Sequence, residues 1–310
     1  MQNIVSTAQH TDEHSRLSIL LAFAAVYIIW GSTYLAIRFA IATIPPFLMA
    51  GVRFLTSGII LYLWSRLRGA PAPTPRHWSS ATTVGLLLLM VGNGGVTWAE
   101  QTVPSGITAL LAGTVPVWVV LFDWIWHGGQ RPGPRVIAGL LLGILGAATL
   151  SGPGLFSGGS SVNPLGAIAL FIAAIAWSVG SLYSRKAVLP QSPLLSTGME
   201  MLTGGAALCL LGTLAGEWSG FRLADVSMKS ALSLGYLIAF GSLIGFSSYL
   251  WLLRVVPPAR ASTYAYVNPV IALFLGWALA SEPLTPLALL ASAITIAGVA
   301  LIVSAGARRA

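Results

Sequence analysis

The chain carries one pattern twice, so any fold it adopts must be built from two matching halves. Trp30-Gly-Ser-Thr-Tyr-Leu-Ala-Ile-Arg38 answers to Trp177-Ser-Val-Gly-Ser-Leu-Tyr-Ser-Arg185, 147 residues further on. The same offset pairs Pro46 with Pro193, Gly51 with Gly198, Leu55-Thr56 with Leu202-Thr203 and Gly58 with Gly205. It then widens to 153, pairing Gly92 with Gly245, Trp98 with Trp251 and Pro116-Val117 with Pro269-Val270. Near the end of each half it is 152, matching Pro134 with Pro286 and Gly146 with Gly298.

The residues between these markers are too apolar for water. Hydrophobic residues make up 56% and charged residues 8% of the chain, against about 25% charged in a soluble domain. Crossing the hydrocarbon core of a bilayer takes roughly 20 apolar residues as a helix. Segments of that length run over 17–37, 46–65, 82–100, 105–126, 135–151, 164–184, 194–215, 231–252, 259–280 and 286–304. Proline and glycine punctuate the gaps, as at Pro45-Pro46, Pro71 to Pro75, Pro132 to Pro134 and Pro257-Pro258. Only Pro71–Ser80 and residues 216–230 are long enough to be loops of substance. The expectation is an all-α integral membrane protein of ten transmembrane helices, arranged as two five-helix repeats. Residues 1–16 form a tail, 17–151 the first repeat and 164–304 the second.

Lys and Arg then orient the segments. With the N-terminus inside, that face collects Arg16, Arg66, Arg68, Arg76, Arg131, Arg135, Arg185, Lys186, Arg254, Arg260, Arg308 and Arg309. The other face holds only Arg38, Arg222 and Lys229, with Arg53 inside a helix. The basic side is the cytoplasmic one, so both termini are expected there. The first segment runs on to Ile37 through the repeated Trp30, so it reads as a retained helix rather than a cleaved signal. Five helices per half is an odd number, which inverts the second half: Arg38 falls outside and Arg185 inside. Two inverted halves can exchange conformations between inward-open and outward-open states, the usual construction of a transporter.

Other classes find little support. The net charge of +8 punctuates short loops instead of forming the basic face that nucleic acid needs. One cysteine, Cys209, leaves no disulfide framework and reads as a packing residue. The four histidines (10, 14, 77 and 127) fall in tails or loops, so no metal site, cofactor or catalytic group is expected and an embedded enzyme is disfavoured.

Inverted-repeat carriers hold substrate near the bilayer midplane, where matched helices are interrupted by Gly or Pro. Gly92-Asn93-Gly94-Gly95 on the third segment answers Gly241 to Gly245 on the eighth, and Pro116 on the fourth answers Pro269 on the ninth. Polar and aromatic residues fall on single helical faces beside these points. Trp30 and Tyr34 share a face on the first segment, as Trp177 and Ser181 do on the sixth. The third offers Asn93 with Trp98, the eighth Tyr249, and the ninth Tyr266 with Asn268. Together these nine describe a mixed aromatic and hydroxyl pocket without strong charge. The competing readings are a packing seam of small residues and, for the tryptophans, an interfacial belt. The belt suits Trp64, Trp78, Trp124, Trp126 and Trp218 near segment ends, whereas Trp30 and Trp177 lie deeper. Gly139-x-x-x-Gly143 with Gly146 is a close-packing stripe, favouring internal packing over a homodimer; monomer and homodimer both stay open.

Charges inside the segments are few. Arg53 and Glu200 occupy equivalent repeat positions. Inversion places Arg53 towards the outer face with Arg38, Glu100 and Glu282, and Glu200 towards the inner face with Arg185 and Arg254. Two readings stand side by side: outer and inner gate pairs, alternately made and broken, or static pairs and snorkelling side chains.

The run at 30–38, with Tyr266-Val-Asn-Pro-Val-Ile-Ala-Leu-Phe-Leu-Gly-Trp-Ala-Leu-Ala-Ser-Glu-Pro-Leu-Thr285, resembles the signatures of EamA-type exporters of the drug/metabolite transporter superfamily. The resemblance covers nearly the whole chain as two repeats. It implies ten helices and export of small metabolites, amino acids among them, including aromatic ones. One departure is Gly128-Gly-Gln-Arg131, where members often carry a Glu, so the acidic residue of that motif survives only as Glu282. The same superfamily contains nucleotide-sugar and lipid-linked carriers. A nucleotide site would show Lys or Arg within the cavity, and the polar stripes lack them. The expected partners are therefore a small, neutral or zwitterionic substrate and membrane lipids. Arg-rich, Lys-poor usage points to a GC-rich bacterial genome and an inner-membrane location.

Overall fold

The computed structural model describes residues 16–103, 108, 111–126, 131–150, 163–280 and 286–305. The tail before Arg16, Gly128 to Gln130, Glu282, Arg308 and Arg309 lie outside the described residues. Among those described, ten helices of twelve residues or more follow one another: α1 Arg16–Ala40, α2 Pro46–Leu67, α3 Pro75–Ala99, α4 Val115–Trp126, α5 Pro134–Leu150, α6 Pro164–Lys186, α7 Pro193–Leu214, α8 Met228–Val255, α9 Tyr264–Ala280 and α10 Pro286–Ala305. Six of them (α1, α2, α3, α6, α7 and α8) are long and apolar enough to cross a membrane. The other four are apolar helices of 12 to 20 residues.

Capping explains two of the helix starts that differ from expectation. Residues 71–80 read as a loop because of their prolines, yet α3 begins at Pro75. The Thr74 side chain accepts from the His77 backbone N–H while the His77 side chain accepts from that of Thr74, a capping box with proline in the first turn. Within 216–230, α8 begins at Met228, where the Ser227 hydroxyl accepts from the Ser230 N–H. The remainder of that stretch is tied down by Glu217, whose carboxylate accepts from the Phe47 and Leu48 N–H groups at the start of α2.

The halves pack on each other reciprocally. Helix α1 lies on α8 and α9 of the second half, and α6 lies on α3 and α4 of the first. Two seams join equivalent helices, α2 with α7 and α5 with α10. Glycine makes them possible. A methyl on Gly58 would sit 2.7 Å from the Leu202 nitrogen, and one on Gly198 2.8 Å from the Tyr62 nitrogen. One on Gly298 would sit 2.7 Å from the Gly139 carbonyl oxygen. Apolar hydration drives nothing inside a bilayer, so such close backbone contact supplies the packing energy. The Gly139, Gly143 and Gly146 stripe is covered by Gly298, the Tyr266 ring and Thr295 respectively, so it is used within the chain. Large apolar side chains such as Leu20, Ile28, Ile60, Leu63, Ile168 and Leu210 point outward, as a lipid-facing surface requires.

Candidate functional site

The third and eighth helices carry the same irregularity. Leu86–Asn93 in α3 and Leu237–Phe246 in α8 are π-helical, and they span the matched Gly92 and Gly245. Widened turns of this kind cluster at functional sites, because they offset the backbone ladder and free carbonyls. The glycines expected to interrupt these helices therefore loosen them without breaking them.

Each widened segment receives a tryptophan from the other half. Trp30 of α1 sits on Gly245, where a methyl would lie 2.6 Å from its Nε1; Trp177 of α6 sits on Gly92, where the separation from the ring would be 2.9 Å. Trp30 Nε1 donates to the Gly241 carbonyl at 3.0 Å, satisfying a π-helical oxygen. Trp177 Nε1 donates to the Tyr249 hydroxyl at 3.1 Å. The two indoles meet edge to face with centroids 5.6 Å apart, a favourable arrangement for opposed π-systems. Tyr264 closes on Trp30 at 4.9 Å and Tyr249 lies 5.2 Å away. An aromatic cluster thus stands where the repeats cross.

A cavity opens beside it. Trp30, Tyr34, Asn93, Trp177 and Asn268 line it, as the sequence places them, together with Thr33, Arg53, Phe54, Phe246 and Tyr264. The other four named pocket residues lie elsewhere. Tyr249 and Ser181 form a layer behind the cavity wall, their hydroxyls 2.6 Å apart. Trp98 packs against Ala99, Val103 and Leu170. Tyr266 faces away, buried with Leu140 and Ile302 against α5 and α10. Its neighbour on the cavity side is Tyr264, two residues earlier. The face drawn through Tyr266 beside Asn268 selects the wrong tyrosine, because α9 begins only at Tyr264 after a turn at Ser262-Thr263.

The charge expectation needs a larger correction. Arg53 is 3% exposed, and its guanidinium is in the cavity wall, not in an outer acidic pair. Its Nε donates to Ser242 Oγ at 2.8 Å, the guanidinium carbon lies 4.7 Å from the centre of the Phe54 ring, and Nη1 has no partner. The pocket is therefore not free of fixed charge. Arg38 is exposed at the end of α1, close enough to interact with Glu100, which also faces Tyr34. Neither Glu100 oxygen has a hydrogen-bond partner. At the opposite end Glu200 is 1% exposed and near Arg254, whose Nη2 donates to Ser196 Oγ at 2.6 Å. Among the described residues no group of three His, Cys, Asp or Glu side chains is arranged to hold a metal.

The same two-part construction is found in known proteins. The EamA-like transporter family model matches twice, over residues 16–152 and 164–304. This chain belongs to the EamA-like transporter family, and it is a membrane transporter. Among its relatives, the "Uncharacterized inner membrane transporter YedA" of Escherichia coli (strain K12) is 41% identical over 288 residues, 92% of this chain and 90% of that protein. The "Uncharacterized transporter YvbV" of Bacillus subtilis (strain 168) is 26% identical, covering 91% of this chain and 89% of that one. The "WAT1-related protein At3g02690, chloroplastic" of Arabidopsis thaliana is 23% identical, over 89% of this chain and 67% of its own length. One solved crystal structure superposes with a TM-score of 0.75 at 22% identity, over 94% of this chain and 98% of that chain. That likeness shows a shared fold.

Proposed function

We propose that this transporter exports small metabolites, with amino acids the foremost class, by alternating access between two inverted repeats. The single observation that carries the reading is the cavity at the crossing of the repeats, walled by Trp30, Trp177 and Tyr264 and carrying Asn93 and Asn268. Aromatic walls suit apolar and aromatic side chains, and the amides offer hydrogen bonds in place of water. The reciprocal seating of each tryptophan on the other half's widened glycine supports alternation, since one rearrangement and its mirror use equivalent contacts. The arginine pattern and the inner-membrane location in the name of the Escherichia coli relative support an inner-membrane protein with both termini cytoplasmic. We read it as a carrier and not an enzyme. Carriage of a nucleotide-sugar or lipid-linked cargo is the second reading, favoured by one observation: a guanidinium stands in the cavity wall after all.

Uptake of a radiolabelled amino-acid panel into proteoliposomes, with and without a pH gradient, tests the assignment. Saturable transport of several amino acids, abolished or cut at least several-fold by Asn93→Ala, is the expected result. Folded protein that moves no amino acid overturns it.

A further inference from the structure

Two groups of opposite character are left unsatisfied in one cavity. Arg53 Nη1 is a charged donor with no acceptor, on a side chain 3% exposed. Asn268 Oδ1 is an acceptor with no hydrogen-bonded donor, on a side chain 1% exposed. Both residues line the cavity between the repeats. Buried polar groups are ordinarily paired, and a buried guanidinium is ordinarily paired with a carboxylate or phosphate. Among the described residues Arg53 has no acidic partner, and its one hydrogen bond goes to the neutral Ser242 hydroxyl.

That bond has a second consequence. Ser242 and Phe54 hold the Nε edge and one face of the guanidinium, so the fork is fixed before any ligand arrives. Gly241 leaves room for it, since a methyl there would lie 2.9 Å from Nη2. A planar, pre-oriented fork with a free Nη1 is suited to a carboxylate.

We propose that Arg53 is the counter-ion for a carboxylate on the transported molecule, and that Asn268 accepts an N–H from the same molecule. This rests on the carrier reading above and narrows its substrate to compounds bearing a carboxylate, with a donor such as an ammonium beside it. A single guanidinium matches one carboxylate better than a pyrophosphate, which counts against nucleotide-sugars.

The test is binding, read from the intrinsic fluorescence of the purified protein, since Trp30 and Trp177 line the cavity. Four probes share one aromatic side chain: the amino acid, its carboxamide, the acid lacking the amino group, and the amine lacking the carboxylate. The wild type binds the amino acid about ten-fold or more tightly than the carboxamide and the amine, the scale of one lost hydrogen bond to a charged group. Arg53→Gln erases that preference, Arg53→Lys keeps part of it, and Asn268→Ala weakens the amino acid more than the deaminated acid. Because the probe series is read on the wild type, a variant that fails to fold does not remove the test. A purely structural Arg53 leaves the probes undiscriminated. Equal binding of amino acid and carboxamide overturns the counter-ion while leaving an amino-acid carrier standing. Binding of the deaminated acid without the amino acid keeps the counter-ion and overturns the amino-acid reading. Binding of none of the four overturns both.

Discussion

Glu200 lies seven residues into α7, almost wholly enclosed, and its Oε2 has no hydrogen-bond partner. A static buried ion pair needs close geometry and full hydrogen bonding to repay desolvation. Glu200 has neither: Oε2 is unpaired and no ion pair joins the carboxylate to the nearby Arg254, whose Nη2 donates to Ser196. A loosely engaged pair is what a gate requires, because it must break at little cost. Glu200→Gln is therefore expected to change the transport rate several-fold while the yield and thermal midpoint of folded protein stay near wild type. An unchanged rate sinks the gate, and a collapse of folded yield restores the static pair. The charges show how far residue types alone can be read. Glu200 lies near Arg254, one of the two arginines expected beside it, without an ion pair between them. Arg53 does not follow the same rule, although it occupies the matching position. Its reach, seven residues into α2, brings the fork to Ser242 and the cavity before any acid at the helix ends. Depth and side-chain direction decide that, and neither is written in the offset.

At the scale of elements, the repeats meet through glycine seams, and the seams are where substitution should tell most. In the α2–α7 crossing a methyl on Gly205 would lie 2.6 Å from the Leu55 nitrogen, a backbone atom that cannot rotate away. Gly235 in α8 has nothing within 4 Å of the same construction. Gly205→Leu should therefore force the two helices apart, at about 1–3 kcal/mol or more as overpacking. Gly235→Leu should be close to neutral. Unfolding midpoints in detergent measure the contrast, and equal midpoints would show that α2 and α7 do not pack this closely. The pairing of Gly58 with Gly205 and of Gly51 with Gly198 was readable as repetition, and the Gly139, Gly143 and Gly146 face as a small-residue stripe. Which helix the stripe meets was not, because a stripe carries no address. The π-helical stretches illustrate the same limit. Gly92 and Gly245 announce a disturbance in α3 and α8, but widening and breaking look alike in sequence. The difference arises from a tryptophan on another helix, Trp177 or Trp30, filling the space each glycine leaves.

For the whole molecule the decisive property is orientation, since reciprocal contacts between halves support alternation only if the halves face opposite ways. Helix α1 against α8 and α9, answered by α6 against α3 and α4, is the reciprocity that two matched halves produce whichever way the second one faces. The arginine distribution predicts which end is which: the α2–α3 connection inside, the α7–α8 connection outside. Both connections offer exposed alanines, Ala72 and Ala224, in segments free of the cavity and the seams. With Cys209, the chain's one cysteine, replaced by alanine, Ala224→Cys should react with a membrane-impermeant maleimide in intact cells. Ala72→Cys should react only after the membrane is opened. The reverse pattern would turn the molecule over and make the Arg38–Glu100 end the cytoplasmic one. Labelling of both positions from one side would be graver, because an even number of crossings would then separate them instead of the odd number that α3 to α7 require. The second repeat would run parallel to the first, and the exchange of equivalent contacts on which alternating access depends would have no symmetry behind it.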